Sequence, residues 1–449
     1  MTEAEHEPTS SRSISSLPPE LLAVIFEMTL SKRRVQYKLP FEVILSHVSS
    51  LWRVVAITTP TLWTRIDIYS SRSDCAATYL QRSGSELLLD IRVDIYNTDK
   101  RIHIKSVHKR DALIQSIVKT LFPHIHRARS LLVLSCFEPT ALKLLSHLHD
   151  AVAPNLRRLR LNIGHPSKIA PRDVKFEVFS KGLPQLMFLE TDIPYCVPLS
   201  LQNLTTLHLH TLTNNMFLSF ESFATMIMAP PSLRNLSIQG TLSLHRSLNT
   251  NIVPGFCVLN NLEALRLPDQ SEFTVDVLLA ISAPNLVSLW LGNSCDRYGE
   301  FFNSSVPGKF PSLKYLTIPS YDFSYITQYS HSFPSVTHLY LPYVNLHYGG
   351  DTRFKHTFTS YWTHLDTLAT GLVRQGQMQK FHTDLSSFLP RRRDAGYPLR
   401  QLLVDDDLCG VLKKGLPDVS RYVKIDVLSL ETYQEPWWVM SQERHMDHP

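Results

Sequence analysis

The chain is poor in the features that most enzymes and membrane proteins need. It has only 15 glycines in 449 residues, and none stands in a G-x-x-x-x-G-K-[ST] or G-x-G-x-x-G loop, so phosphate-cradling turns are not expected. G-x-S-x-G and H-E-x-x-H are also missing, which removes two common hydrolase designs. The six cysteines (Cys75, Cys136, Cys196, Cys257, Cys295 and Cys409) are far apart, with no C-x-x-C pair. A disulfide framework or structural zinc site would bring closer spacing, so they are expected to be reduced thiols of a cytoplasmic and/or nuclear protein. No apolar run approaches the roughly 18 residues that span a bilayer, and no membrane partner is expected. The polar start, MTEAEHEPTSSRS, lacks the basic and then apolar order of a signal peptide. Charge of one sign is also scarce: the net value is +5 with pI near 8.8. Only Lys32–Arg34 and Arg391–Arg393 are clustered. These runs are expected to be solvated loops, and nucleic acid is not an expected partner.

What is present is apolar and patterned. Hydrophobic residues make up 43% and charged residues 19%, the balance of a folded chain. The length exceeds one compact core and implies two or three domains or a repeat array.

Residues 1–13 read as a disordered lead, and residues 14–64 as a small helical module. In "SSLPPELLAVIF", Pro18 and Pro19 suit a first helical turn, and Glu20 opposes the positive end of the helix dipole. Leu21, Leu22, Ile25 and Phe26 recur at helical spacing. After the charged connector "SKRRVQYK", Pro40 opens a second helical pattern through Ile44, Leu45, Val48, Leu51, Trp52 and Val55. "TTPTLW" ends it, because a residue before proline is steered away from helical backbone. "RIDIY" then alternates like a strand. The module has more large apolar residues than so small a bundle can bury. The surplus either packs on the rest of the chain or forms a docking face.

The ordered set "LPPELLAVIF … LSHVSSLWRVVAITTPTLW" resembles an F-box, in the form common among fungal F-box-like proteins. The matching residues are Leu17, Pro18, Glu20, Leu21, Leu22, Ile25 and Phe26, then Val48, Trp52, Arg53, Ala56, Thr59, Pro60, Leu62 and Trp63. Ser49 stands where such families often have cysteine. The resemblance implies docking on the Skp adaptor of a cullin ligase core. It implies contact through Leu17, Pro18, Leu21, Leu22, Ile25, Phe26, Val48 and Trp52, although sequence does not sort which of these are core.

The remainder repeats. "PNLRRLRLNI" from Pro154, "PSLRNLSIQG" from Pro231, "PNLVSLWLGN" from Pro284 and "PSLKYLTIPS" from Pro311 share the form P-x-L-x-x-L-x-L. Related segments start at Pro184, Gln202, Asn260 and Pro334, mostly about 23 to 30 residues apart. The last two leucines alternate and so share one strand face. Each unit is too small to bury that face alone, so stacked units are expected to share a leucine core. The expected fold is therefore α/β: a three-helix F-box, then an irregular leucine-rich-repeat solenoid with parallel strands and outer helices over residues 65–344. A helical insertion at 345–396 is expected from "THLDTLATGLVRQ" and "KFHTDLSSFL". A terminal repeat region at 397–430 and a tail at 431–449 follow. The asparagine that usually follows the motif is replaced, for example by Gly164, Leu212 and Val344.

The residues flanking the alternating leucines would point to the concave side: Arg158, Arg160, Glu190, His208, His210, Arg266, Trp290, Tyr315, His338 and Tyr340. This row mixes arginine and aromatic groups, as interface cores do, and is the expected site for an unidentified protein target. His208 and His210 fall on one strand face, but no cysteine or carboxylate set matches them, so no metal or other cofactor is expected. With the repeat array behind it, the F-box resemblance implies a non-enzymatic target receptor of an SCF-type ubiquitin ligase, with an expected role in protein degradation. The alternatives are a scaffold whose front module is only a cap, and an enzyme hidden in residues 345–449.

Overall fold

The computed structural model describes Ile14 and residues 17–30, 39–69, 74–95, 107–135, 138–163, 178–193, 201–211, 217–240, 243–245, 255–267, 272–292, 301–302, 308–318, 326–344, 361–373, 378–406, 409 and 419–428. The expected lead at 1–13 and tail at 431–449 lie outside them, as does residues 345–360 of the expected insertion. The chain divides into two compact units, Met1–Ile163 with Glu177–Gln185, and Gly164–Phe176 with Leu186–Pro449.

The first unit opens with helices α1 (Pro19–Leu30), α2 (Phe41–Ser46) and α3 (Ser50–Thr58), followed by a 3-10 turn at Pro60–Trp63. Leu22, Phe26, Leu45, Val55, Ala56, Leu62 and Trp63 form their core. Strands β1 (Arg65–Tyr69), β2 (Leu89–Asp94), β3 (Ala128–Ser135) and β4 (Arg158–Ile163) then pair in parallel and in chain order. Helices α4 (Asp74–Arg82), α5 (Val107–Leu121) and α6 (Glu138–Ser146) lie between them in sequence. Compactness thus joins the front module to the first four strands, whereas the sequence suggested a boundary after residue 64.

Among the described residues of the second unit, ten strands lie in one parallel sheet, again in chain order: β5 (Phe188–Thr191), β6 (Thr206–Thr211), β8 (Asn235–Gly240), β11 (Ala264–Arg266), β13 (Ser288–Trp290), β14 (Tyr315–Thr317), β15 (His338–Val344), β16 (Thr367–Val373), β17 (Gln401–Val404) and β18 (Lys424–Val427). A backbone relay sets their entry. Arg234 N donates to Thr205 O, Glu263 N to Arg234 O, Val287 N to Glu263 O and Lys314 N to Val287 O, at 2.8–2.9 Å. The leucines of the motif fill the core: Leu233, Leu236, Leu262, Leu265, Leu286, Leu289, Leu313 and Leu316 are each at most 2% exposed.

Two expectations need correction. "THLDTLATGLV" is not part of a helical insertion but makes strand β16, and among the described residues there only Met378–Asp394 is a long helix. Leu365, Leu368 and Leu372 fit a helix by spacing, but Leu365 and Leu368 are also the first two leucines of one more repeat, with Thr370 in the third place. Asp366 N donates to Thr337 O and Arg400 N to Asp366 O, which continues the relay. The segments between the sheet strands are also not helical throughout. Helices α7 (Phe220–Met228) and α8 (Glu272–Ala280) occur there together with short parallel pairs, β7 (Phe217–Ser219) with β9 (Ser243–His245) and β10 (Cys257–Val258) with β12 (Ile281–Ser282).

A different asparagine links the turns. Asn155 Nδ2 donates to His126 O at 3.0 Å, Asn261 Nδ2 to Pro231 O at 2.9 Å and Asn285 Nδ2 to Asn260 O at 2.8 Å. These asparagines occupy the variable position of P-x-L, where Ser335 Oγ also donates to Leu313 O. Between β15 and β16 the strands leave room for glycine alone: a Cβ on Gly371 would collide with the Pro342 carbonyl. Gly371→Ala should therefore lower stability by about 1–3 kcal/mol, read as a drop in thermal midpoint. An unchanged midpoint would show that the pair relaxes freely.

Candidate interaction surfaces

The front module sorts its apolar residues by helix geometry. On α1, Leu22 and Phe26 point inward at 0% and 1% exposure. Leu21, Val24, Ile25 and Met28 are 52%, 49%, 40% and 60% exposed, and their spacing places them on one outward stripe. Of the expected docking residues, Pro18, Leu21, Ile25 and Val48 are exposed, Leu17 and Trp52 are half-buried, and Leu22 and Phe26 are core. Val24 and Met28 were missed, although each lies three residues from a named neighbour, Leu21 and Ile25 respectively. Val54 and Ile57 add exposed apolar surface on α3.

The module's core is tied to helix α4. Ser49 Oγ caps α3 by accepting from Trp52 N at 3.2 Å, and the Trp52 ring lies 5.0 Å from that of Phe26. Trp63 is buried and donates from Nε1 to Ala56 O at 2.8 Å. Its ring meets the edge of Tyr79 on α4 at 4.9 Å and lies under the Arg82 guanidinium at 4.3 Å. The Tyr79 hydroxyl donates to Glu42 at 2.5 Å. Burial raises the Glu42 pKa, partly opposed by that hydrogen bond. One side of the module therefore closes onto α4, while the residues of the α1 stripe are exposed.

In the second unit, the sheet face opposite the leucines is read directly from strand register. Glu190 stands beside His208, His208 beside Ser237, Ser237 beside Arg266 and Arg266 beside Trp290. The row continues through Thr317 to Tyr340. A parallel row brings Ser288, Tyr315 and His338 together. The Arg266 guanidinium lies 4.3 Å above the Trp290 ring, and the rings of Tyr315 and His338 are 4.5 Å apart. Burial lowers the His338 pKa, more than nearby Asp366 raises it. Trp290, Tyr315, His338 and Tyr340 are half-buried, whereas Glu190, His208 and Arg266 are buried. The accessible part of the row is thus its aromatic half. Arg158 and Arg160 lie in the first unit on β4, one exposed and one half-buried.

The structure also supplies a carboxylate for the histidine pair. Glu190, His208 and His210 place their ligand atoms within 4.8 Å of one another. Sequence reading missed Glu190 as their partner because the contact runs between strands and depends on register.

Among the described residues, no helix is long and apolar enough to cross a membrane. A depression of about 310 Å³ lies at the strand-entry turns, lined by Arg234, Asn261, Glu263, Asn285, Val287 and Ser312.

No protein-family model matches the chain, and no curated protein matches it. A crystal structure of a Bacteroides fragilis protein from a structural genomics consortium is similar over 72% of this chain and 72% of its own, at 14% identity and a TM-score of 0.30. At that score the likeness carries no argument about fold or function.

Proposed function

We propose that the chain is a non-catalytic target receptor of an SCF-type ubiquitin ligase: the front module docks on a Skp adaptor and the second unit holds a target protein. The observation that carries this reading is the outward stripe on α1. A helix that already buries Leu22 and Phe26 has no structural need for four more large apolar residues on its open side. Such surface is retained where a partner covers it. The alternative, a scaffold with a capping module, accounts for the Trp63–Tyr79 side but not for the stripe.

On this reading the aromatic half of the second unit's open face, Trp290, Tyr315, His338 and Tyr340, is the target surface. Aromatic anchors flanked by polar groups suit a protein partner. The activity would come from proximity, because holding the target near a ubiquitin-loaded enzyme raises its effective concentration.

Co-expression of the full chain with the host's Skp adaptor, followed by size-exclusion chromatography, should give one co-eluting peak. The Leu21→Asp, Ile25→Asp double variant should elute apart from the adaptor while keeping its circular dichroism. Two folded wild-type proteins that elute separately would leave the capping alternative in place.

A further inference from the structure

We infer that Glu190, His208 and His210 form a binding site for a zinc-class divalent cation. His208 and His210 are two apart on β6, so both project from the face opposite the core residues Leu207 and Leu209. Glu190 is paired directly with His208 across β5 and β6. The three ligand atoms lie within 4.8 Å of one another.

The spacing fits a metal. Two ligands bound at about 2.1 Å to a tetrahedral ion stand about 3.4 Å apart. His210 Nε2 and Glu190 Oε1 are already 3.5 Å apart, with side chains 12% and 4% exposed. His208 is 1% exposed, and its ring centroid is 6.4 Å from that of His210, at an interplanar angle of 67°. The rings are therefore not stacked, and a shift of about 1 Å by side-chain rotation would bring the third nitrogen into range. A carboxylate and one imidazole make a complete ion pair. A second imidazole within reach of both is what a cation requires and an ion pair does not.

The donor set selects the ion class. Two imidazoles and one carboxylate suit zinc, cobalt, nickel or copper better than calcium or magnesium, which prefer all-oxygen shells. Ser237 and Gln239 stand opposite His208 and His210 on β8. Three protein ligands leave one coordination position for water or for a group from a bound partner.

The test uses the full chain, stripped of metal with a chelator and dialysed. Titration with Co²⁺, and with Zn²⁺ against a chromophoric chelator, should show one tight equivalent per chain. Co²⁺ should give the intense visible bands of a low-coordinate site. Glu190→Gln and His210→Gln, each with unchanged circular dichroism, should weaken Zn²⁺ binding at least tenfold. The chain has 20 histidines, so scattered surface binding is the competing result. Equal affinity and stoichiometry in wild type and both variants would overturn the site, as would a wild-type chain that takes up no tight equivalent. Should both variants fail to fold, the wild-type stoichiometry and Co²⁺ spectrum decide: one equivalent with those bands supports the site, and their absence rejects it.

Discussion

Arg392→Ala should destabilise the second unit by about 3–5 kcal/mol, while Arg391→Ala should change it by less than about 0.5 kcal/mol. Arg392 is 0% exposed, on the helix Met378–Asp394. Its guanidinium donates to three carbonyls of the turn before β16: Tyr361 O at 3.0 Å, Trp362 O at 2.5 Å and Leu365 O at 3.3 Å. Burial lowers its pKa to about 10, so it remains charged at neutral pH. Trp362 has φ of 47°, a left-handed conformation that few bulky residues adopt. Arg392 helps to hold it there, together with the bond from Trp362 Nε1 to Phe333 O at 2.9 Å. Alanine would remove a buried donor from all three carbonyls, leaving Trp362 O with the Leu365 N–H, and would open a void beside a strained residue. Arg391 is exposed on the same helix and serves as control. Urea unfolding followed by tryptophan fluorescence reads the difference. Equal midpoints for the two variants would mean that Arg392 is dispensable.

The second large effect separates docking from folding within one helical turn. Ile25→Asp should leave the fold intact and weaken adaptor binding at least 100-fold, about 2.7 kcal/mol. Phe26→Ala should lower stability by about 3–5 kcal/mol, because a fully buried ring that contacts Trp52 is removed. Ile25 is 40% exposed, so a charge there is solvated in the free chain and stranded only under a partner. Thermal melts paired with adaptor titrations distinguish the two variants. Loss of folding in Ile25→Asp would instead assign the stripe to the chain's own interior.

Much of this architecture is legible in the sequence, because P-x-L-x-x-L-x-L states both the strand and its buried face. The leucines at 159, 207, 236, 265, 289 and 316 all lie in the core at 0% exposure. β16 was hidden because leucines spaced three and seven apart satisfy a helix as well, and only the relay through Asp366 distinguishes the two. Arg392 was hidden by its neighbours: three arginines in a row average to a solvated loop, yet a helix turns the middle one into the core. The split of the front module into core and stripe depends on the helix phase, which is set by burial of Leu22 and Phe26. Glu190 joined the histidines only through register, which no local motif encodes.

The chain-order sheet has a kinetic consequence. Every strand in the second unit pairs with one close behind it in sequence, from Phe188 with Thr206, 18 positions apart, to Thr367 with Gln401, 34 positions apart. Loop-closure entropy grows only with the logarithm of length, so the longest of these closures is worse than the shortest by about 0.6 kcal/mol. No step in assembling the sheet faces a large topological barrier, and growth can begin at any repeat and zip outward in either direction. Connections can therefore lengthen or shorten from one repeat to the next with little effect on folding rate, and so a chain with such uneven spacing can still assemble strand by strand.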